Sequence, residues 1–275
     1  MRKMFPLVLL HLTLLFPLFS HSQEGELHPF LTDKFYLEGG VFFPSKNIQL
    51  GANGSTPNEN IDFGNTFDLN DNEITYFFNL EWRWNRKWRV TVETFGIDNG
   101  SRSTLDEDIA FEDLVFEKGS YVRGGVELRV YRIFFGRTIS SGPKHSLGVG
   151  LGIHGMNVGA SIEGEVRTND GDLEFQRRKV SALLPLPNIG GWYHWAPTKK
   201  WAFIARVDWF GITIDKYGGG LWNLAPGVKF QMTKNFGIGA EYRYFFLNAR
   251  VDDDNWQGKF NMDFSGPLLT IHGNF

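Results

Sequence analysis

Residues 74 to 85, ITYFFNLEWRWN, alternate between a bulky apolar row and a more polar row. The apolar row holds Ile74, Tyr76, Phe78, Leu80, Trp82 and Trp84, and the other holds Thr75, Phe77, Asn79, Glu81, Arg83 and Asn85. Successive side chains of a strand point to opposite faces, so the pattern predicts a β-strand with one aromatic face and one charged face. Bulky aromatics along a whole face, with Trp at its end, are typical of a strand that faces lipid.

The same alternation recurs in about ten segments, which predicts an all-β fold, an antiparallel up-and-down transmembrane β-barrel. The segments are 34–45, 74–85, 87–97, 119–137, 145–158, 177–195, 200–214, 221–232, 236–249 and 257–275. Pro185 and Pro187 make the sixth segment irregular. Because a proline cannot donate to a ladder, they predict a bulge or local unpairing.

Two segments predict which residues face the interior. In the fourth, Val122, Val126, Leu128 and Val130 are expected to face outward, opposed to Arg123, Glu127, Arg129 and Tyr131. In the fifth, Gly148, Gly150 and Gly152 are expected on the inner row, where they leave room for long side chains from the neighbouring strand.

The connections between segments alternate in length, as they do in outer-membrane barrels. Long or acidic connections are predicted at 46–73, 98–118, 159–176, 215–219 and 250–256, and compact ones at 85–87, 138–144, 197–199 and 233–235. Both chain ends then lie on the short-turn side of an even-numbered barrel. Both termini are therefore predicted to be periplasmic.

The N-terminus reads as an export signal. Residues 2 to 22 contain two cations, an apolar stretch and small residues before Gln23, and the stretch is shorter than the roughly 20 residues of a spanning helix. The prediction is a cleaved signal peptide at 1–22, a short periplasmic segment at 23–33 and a barrel domain at 34–275. The absence of cysteine excludes a disulfide framework, and the net charge of −3 gives no support to nucleic-acid binding.

The C-terminus carries a pattern of its own. The chain ends in Phe275, with Leu269 and Ile271 at alternate positions before it and Gly273 where an aromatic is common. The chain resembles a group of uncharacterised bacterial outer-membrane β-barrel proteins in five segments: LTDKFYLEGGVFFPS, IDFGNTFDLNDN, LEWRWNRKWRVTVETFGID, PLPNIGGWYHW and KNFGIGAEYRYFFLNARVD. An aromatic last residue with apolar residues at alternate positions before it is also typical of such proteins. The resemblance implies the outer membrane, assembly by the barrel-assembly machinery and contact with lipid and lipopolysaccharide, and it brings no activity. A monomer without a cofactor is expected.

Charged residues on the inward rows are the candidate functional residues. They are Glu38, Glu81, Arg83, Arg89, Glu93, Arg123, Glu127, Arg129, Arg206, Asp208, Glu241 and Arg243. Such a row selects ions or a charged solute, or it is an ion-pair network that fills a narrow barrel. A wide pore needs about 16 strands, so general-porin behaviour is not expected. Membrane-interface positions are predicted for Trp82, Trp84, Trp88, Trp201, Trp209, Tyr242 and Tyr244.

A structural, surface-binding or limited solute-passage role without covalent chemistry is expected, and a surface hydrolase of lipid or peptide is the alternative. Omptin proteases carry Asp-x-His and lipid A deacylases carry His-x-Ser, and neither motif occurs in the chain. His154, followed by Ser161, Glu163 and Glu165, is the nearest substitute for a catalytic group at the barrel rim. A lone histidine on a strand is more often a hydrogen-bonded filler.

Residues 68 to 73, DLNDNE, resemble the start of a calcium loop. The sixth position lacks Gly, and the twelfth is Asn79 where Glu is needed. No metal site is therefore expected, although acidic external loops could hold divalent cations loosely.

Overall fold

Long antiparallel strands build the wall of the barrel. The computed structural model describes residues 27–53, 61–62, 66, 74–111, 114–167, 173–214, 217–253 and 256–275, so the predicted signal peptide lies outside the described residues. The strands are β1 (Phe35–Phe42), β2 (Ser45–Asn53), β3 (Ile61–Asp62), β4 (Thr75–Trp82), β5 (Trp88–Thr104), β6 (Ile109–Phe111), β7 (Leu114–Phe116), β8 (Tyr121–Gly142), β9 (His145–Arg167), β10 (Leu173–Trp195), β11 (Trp201–Ile214), β12 (Tyr217–Gln231), β13 (Phe236–Asp253) and β14 (Trp256–Asn274). Helix α1 (Pro29–Thr32) is one turn long, and no helix among the described residues is long and apolar enough to cross a membrane.

Pairing of β1 with β14 closes the sheet. The wall follows the order β1-β4-β5-β8-β9-β10-β11-β12-β13-β14, and β2 also pairs with β14. The register on β14 is continuous across Phe43 and Pro44, so β1 and β2 are two parts of one wall strand. The predicted antiparallel barrel of ten strands is confirmed.

Side chains of the compact turns fix the local chain reversals. The Asn85 side chain accepts hydrogen bonds from the amides of Lys87 and Trp88, at 2.8 and 3.0 Å. The Thr198 hydroxyl accepts in the same way from Trp201, at 3.1 Å. Such side chain to backbone bonds favour tight turns over continued strand, which explains why the sequence located these turns correctly.

Several connections predicted as loops are strand. β5 continues to Thr104, β9 runs to Arg167 and β10 already begins at Leu173. A strand needs about 9–11 residues to cross a membrane, whereas β9 and β10 have 23 each. The wall therefore extends beyond the apolar belt, by which we mean the band of exposed apolar side chains on the outer face. Beyond this belt, hydrophobic alternation no longer indicates a strand.

The prolines of β10 interrupt pairing on one side only. The ladder with β9 runs from Leu173 to Trp195 and passes through Pro185 and Pro187. The described ladder with β11 starts only at Ile189, opposite Trp209. Because proline has no amide proton, both prolines suit the strand edge that faces β11. The predicted local unpairing is confirmed.

The outer face of the wall carries exposed apolar side chains, which on β9 are Leu147, Val149, Leu151 and Ile153. The inner row of β9 is glycine at three positions, as predicted. A Cβ on Gly148 would lie 2.1 Å from the ring of Trp192 on β10. The expected room for a long neighbouring side chain is thus present, and an indole fills it.

The sequence-based prediction of which side chains face outward was wrong for residues 122–131 of β8. Val122, Val126, Leu128 and Val130 are buried inside the barrel, whereas Tyr131 is exposed outside. The prediction equated an apolar row with a lipid-facing row, but the interior at this end of the barrel is itself apolar.

The C-terminal residue completes the closing strand pair. The amide of Phe275 donates to the Phe35 carbonyl at 2.9 Å, and the Phe35 amide donates to the Phe275 carbonyl at 2.8 Å. Leu269 and Ile271 are exposed on the outer face. A Cβ on Gly273 would lie 2.9 Å from the Phe275 ring, so the glycine lets the terminal ring lie against the strand.

Candidate functional site

The N-terminal segment covers the short-turn end of the interior. His28 caps α1, accepting a hydrogen bond at Nδ1 from the Phe30 amide at 3.1 Å. The buried Phe30 ring lies 4.8 Å from the Tyr36 ring and 4.7 Å from the His194 ring, measured between centroids. Burial lowers the pKa of His28 to about 4, so this imidazole is neutral at pH 7.

Beyond this segment, a layer of charged side chains crosses the barrel, with Glu93 as one of its centres. Arg243 donates two hydrogen bonds to the Glu93 carboxylate, at 2.8 and 3.0 Å. Arg206 places Nη2 2.8 Å from Oε2 of the same group. Asp208 lies beside this centre, near Arg206, and accepts a hydrogen bond of 2.7 Å from Arg132. These bidentate and charge-assisted contacts join strands on different sides of the wall.

Lys229 forms a second centre of the layer. Its ammonium contacts Glu38, lies 2.7 Å from Oε1 of Glu241 and donates to the Thr270 hydroxyl at 3.3 Å. Arg243 lies 3.5 Å from the other oxygen of Glu241, which links this centre to Glu93. Removal of one partner from a buried ion pair leaves an uncompensated buried charge. The stability of each pair in this layer therefore depends on the others.

A third group stands nearer the short turns. Glu81 pairs with Arg83 and lies 3.1 Å from Arg89. The Arg89 guanidinium stacks over Trp192 at 4.0 Å from the ring centroid, and it donates to the Ser146 hydroxyl at 3.2 Å. The aromatic face supplements the single carboxylate in balancing two cations.

Above the charged layer, toward the long-strand end, the interior is apolar. Phe245 and Phe264 stack with centroids 4.7 Å apart, and Phe42 packs edge-on against Phe95 at 6.0 Å. The β6–β7 hairpin adds Ile109, Phe111 and Phe116 to the same cluster. This end of the interior is therefore packed like the core of a soluble domain.

A cavity of about 50 Å³ lies within the charged layer, bordered by Glu38, Glu81, Arg132 and Arg206 among others. One water requires about 10–15 Å³ of such volume, whereas small-molecule sites run to about 300 Å³ and more. This cavity has room for a few waters and is too small for a metabolite.

The charged layer contains nine of the twelve residues predicted for the interior. They are Glu38, Glu81, Arg83, Arg89, Glu93, Arg206, Asp208, Glu241 and Arg243. The prediction was wrong for Arg123, Glu127 and Arg129, which lie on the outer wall because the faces of β8 are reversed there.

The predicted charge network omitted two buried cations, Arg132 and Lys229. For Arg132 a signal existed: its neighbours Tyr131, Ile133 and Phe135 are apolar, and all three are exposed outside. That short alternation gives the correct face, but the valines farther along the strand outweighed it. Alternation with Val228, Phe230 and Met232 gives the inward face of Lys229, but no local pattern indicates its partner Glu38, 191 positions away.

His154 belongs to the buried polar layer. Its Nδ1 lies 3.1 Å from Oδ1 of Asn188, and its Nε2 lies 4.0 Å from Asp208. His154 is buried, whereas Ser161, Glu163 and Glu165 stand at odd positions on the opposite face of β9. A base and a nucleophile must lie within hydrogen-bond reach, so these residues do not come together as a catalytic group.

The predicted interface aromatics lie on the outer wall at two levels. Trp82, Trp84, Trp88 and Trp201 are near the short turns, and Trp209, Tyr242 and Tyr244 stand farther along their strands. The Trp82 and Trp84 rings are 5.6 Å apart, and Trp209 lies 6.4 Å from Trp222. Two aromatic levels are typical of a membrane barrel, and the interfacial role stays a prediction.

No group of three or more His, Asp or Glu side chains placed to hold a metal ion occurs in the described part of the chain. The calcium-like segment 68–73 lies outside the described residues.

Comparison with known proteins bears on the fold alone. No protein-family model and no curated protein matches the chain. The outer membrane protease OmpT from Escherichia coli superposes with a TM-score of 0.59 at 11% identity, over 92% of this chain and 99% of that one. The P. putida toluene transporter TodX (TM-score 0.39, 8% identity, 90% and 91% covered) and the attachment invasion locus protein Ail of Yersinia pestis (0.33, 13%, 87% and 99%) are more distant. The chain has the fold of bacterial outer-membrane β-barrel proteins.

Proposed function

We propose that the chain is a monomeric integral outer-membrane protein whose closed barrel anchors a surface structure, and that it binds at the cell surface without covalent chemistry and without passing solutes. The filled interior carries this proposal. Arg243 pairs with Glu93 and Lys229 with Glu38 across the barrel, and an apolar layer packs above them. A path for solutes would require these partners to separate and leave buried charges unpaired, which is costly.

The strand lengths support the surface role. β9 and β10 extend well past the residues needed to cross a membrane, and the β6–β7 hairpin packs on the apolar interior at that end. This end therefore offers a rigid platform, built on paired strands, for contact with molecules outside the cell. Rigid elements position a binding surface more accurately than loops do.

The proposal includes the orientation. The long-strand end faces the outside, both termini lie in the periplasm, and residues 1–22 are removed as a signal peptide. An epitope tag inserted at Asp106–Asp108, which is exposed, should be labelled by antibody on intact cells. The same tag within 197–199 should be labelled only after the outer membrane is permeabilised. The reverse labelling pattern would refute the orientation.

Planar-bilayer recording tests the closed interior. The purified wild-type protein is expected to give no discrete conductance steps, while a general porin in the same bilayers provides the positive control. Heat-modifiable migration on gels verifies that the protein is folded. Discrete steps that disappear on denaturation would overturn the anchor proposal in favour of solute passage.

A further inference from the structure

The outer face of β8 changes from apolar to charged between Tyr131 and Arg129. Tyr131, Ile133 and Phe135 are exposed apolar side chains, and the next outward residues along the strand are Arg129 and Glu127. Outward residues lie two apart, or about 7 Å along the strand, so the charged level directly follows the apolar one. In a membrane barrel this is the level of the lipid headgroups.

A cleft of about 280 Å³ opens on this charged level across β5, β8, β9 and β10. Glycine and serine form its floor, at Gly100, Gly125, Gly159 and Ser161. The missing side chains give the cleft its depth: a Cβ on Gly159 would already touch the Lys179 stem at 3.5 Å.

Two carboxylates of the cleft hold the cations that line it and Arg129, which stands beside it. Glu127 lies 2.8 Å from Lys179 and 3.0 Å from Arg129. Each of these cations comes from a different strand, so the carboxylate links β8 to β10 and orients both charges.

Glu163 also contacts two cations, at a position nearer the long-strand end than Glu127. It lies 3.6 Å from Arg123 and 3.6 Å from Arg177. The four cationic side chains are 47% to 61% exposed, whereas the two carboxylates are only 20% and 21% exposed. The cleft therefore presents mainly cationic groups to a ligand, and the carboxylates of Glu127 and Glu163 lie beneath them.

We propose that this cleft binds the phosphate groups of lipopolysaccharide, with the acyl chains lying on the apolar belt below. The proposal rests on the orientation given under the proposed function, because that orientation brings the cleft to the outer leaflet. Guanidinium groups donate paired hydrogen bonds that match phosphate oxygens. Arg123 and Arg177 supply two of them in the cleft, and Arg129 supplies a third beside it, paired with Glu127. Asp98 at one edge repels an anion, which directs the phosphate toward Lys179 and Arg177.

The test measures binding of purified lipopolysaccharide to the full-length mature protein in detergent. Arg129→Gln/Lys179→Gln is expected to weaken binding at least tenfold, since each lost charge-assisted bond is worth about a factor of ten. Ser161→Trp keeps every charge and fills the cleft, and it should weaken binding to a similar degree. The matched control, Arg86→Gln/Lys87→Gln, removes two exposed cations at the short-turn end and should bind as wild type does.

Further arms separate the possible sources of phosphate. Dephosphorylated lipopolysaccharide and phosphatidylglycerol in mixed detergent micelles are expected to bind at least tenfold more weakly, and inorganic phosphate at millimolar concentration should not displace the bound molecule. Equal binding by the double variant, by the dephosphorylated form or by phosphatidylglycerol would overturn the proposal, as would full displacement by inorganic phosphate. Heat-modifiable migration confirms that each variant is folded. Failure of binding leaves the tag labelling and the bilayer recordings unaffected, so a failure of this proposal can be told apart from a failure of the proposed function.

Discussion

Arg243 and Glu93, 150 positions apart, are joined by two hydrogen bonds of 2.8 and 3.0 Å inside the barrel. Glu93→Ala leaves Arg243 and Arg206 without this shared carboxylate. The free energy of unfolding in detergent should fall by about 3–5 kcal/mol, because a buried charge loses its partner. Urea titration of heat-modifiable protein gives the measurement. The double variant Glu93→Leu/Arg243→Met should lose less than Glu93→Ala, because the one cation that remains, Arg206, also lies 3.9 Å from Asp208. Exposed Arg129→Ala should lose at most about 1 kcal/mol. A larger loss in the double variant would contradict the interdependence of the layer.

Gly136 provides a test of the packing around Trp192. A Cβ at this position would lie 2.6 Å from the Trp192 ring and 2.9 Å from the Phe134 ring. Gly136→Ala should therefore destabilise the barrel by about 1–3 kcal/mol. The cost should shrink when Trp192→Leu is already present, and a double-mutant cycle measures this coupling. Gly155→Ala, whose Cβ would have its nearest contact at 3.8 Å, is the control and should be close to neutral.

His28 makes docking of the N-terminal segment sensitive to pH. Burial holds its pKa at about 4, whereas a released imidazole titrates near 6.5, so release takes up a proton. Docking should be fully present above pH 6.5 and weaken as the pH falls toward 4. Hydrogen exchange of the Leu31 and Asp33 amides, both bonded within the segment, reports this release. His28→Asn keeps a capping acceptor without a titrating group, and its exchange should not show this pH dependence.

Pro187 is expected to be the cause of the short ladder between β10 and β11. Extending the register of Ile189 and Trp209 would bring residue 187 opposite Gly211. Pro187→Ala restores an amide at that edge and should slow hydrogen exchange at Gly211 by at least tenfold. Leu183→Ala, farther along the same strand, is the control and should leave exchange unchanged. Unchanged exchange in the proline variant would mean that another feature separates the strands.

Deletion of Phe275 should impair assembly of the barrel. The deletion removes two backbone hydrogen bonds to Phe35 and the ring that packs at 6.0 Å from Phe236. The folded fraction in cell membranes, measured by heat-modifiable migration, should fall severalfold. Phe236→Leu keeps the terminal residue and should assemble nearly as wild type does. Equal assembly of the deletion variant would show that the earlier part of β14 suffices.

Much of the fold could be predicted because lipid imposes a strict rule on the outer face. Wherever that face is apolar along a whole strand, the opposite charged row is correctly placed, as for Glu38, Glu81 and Glu93. The rule fails on β8, where Val126 and Leu128 face an interior that is as apolar as lipid. Alternation alone cannot tell these two environments apart.

The remaining features depend on contacts that sequence order hides. The partners of Lys229 come from β1, β13 and β14, and no local pattern connects them. The strand ends beyond the belt were missed for a different reason. Residues such as Glu163 and Arg177 face water, where pairing continues without any hydrophobic signal.

The absence of described pairing between β11 and the Pro185–Pro187 part of β10 affects the contact of this wall with hydrocarbon. In a bilayer an unpaired backbone N–H has no water to bond, and each one costs several kcal/mol. Alternate residues of a strand direct their amides to the same side. The Ala196 amide donates to the Lys144 carbonyl beside β9, so even-numbered amides of β10 point toward β9 and the nitrogens of Pro185 and Pro187 point toward β11. Any other residue at positions 185 and 187 would leave a backbone N–H without a hydrogen-bond acceptor. The open seam therefore lacks two donors that β10 would otherwise leave unpaired against hydrocarbon.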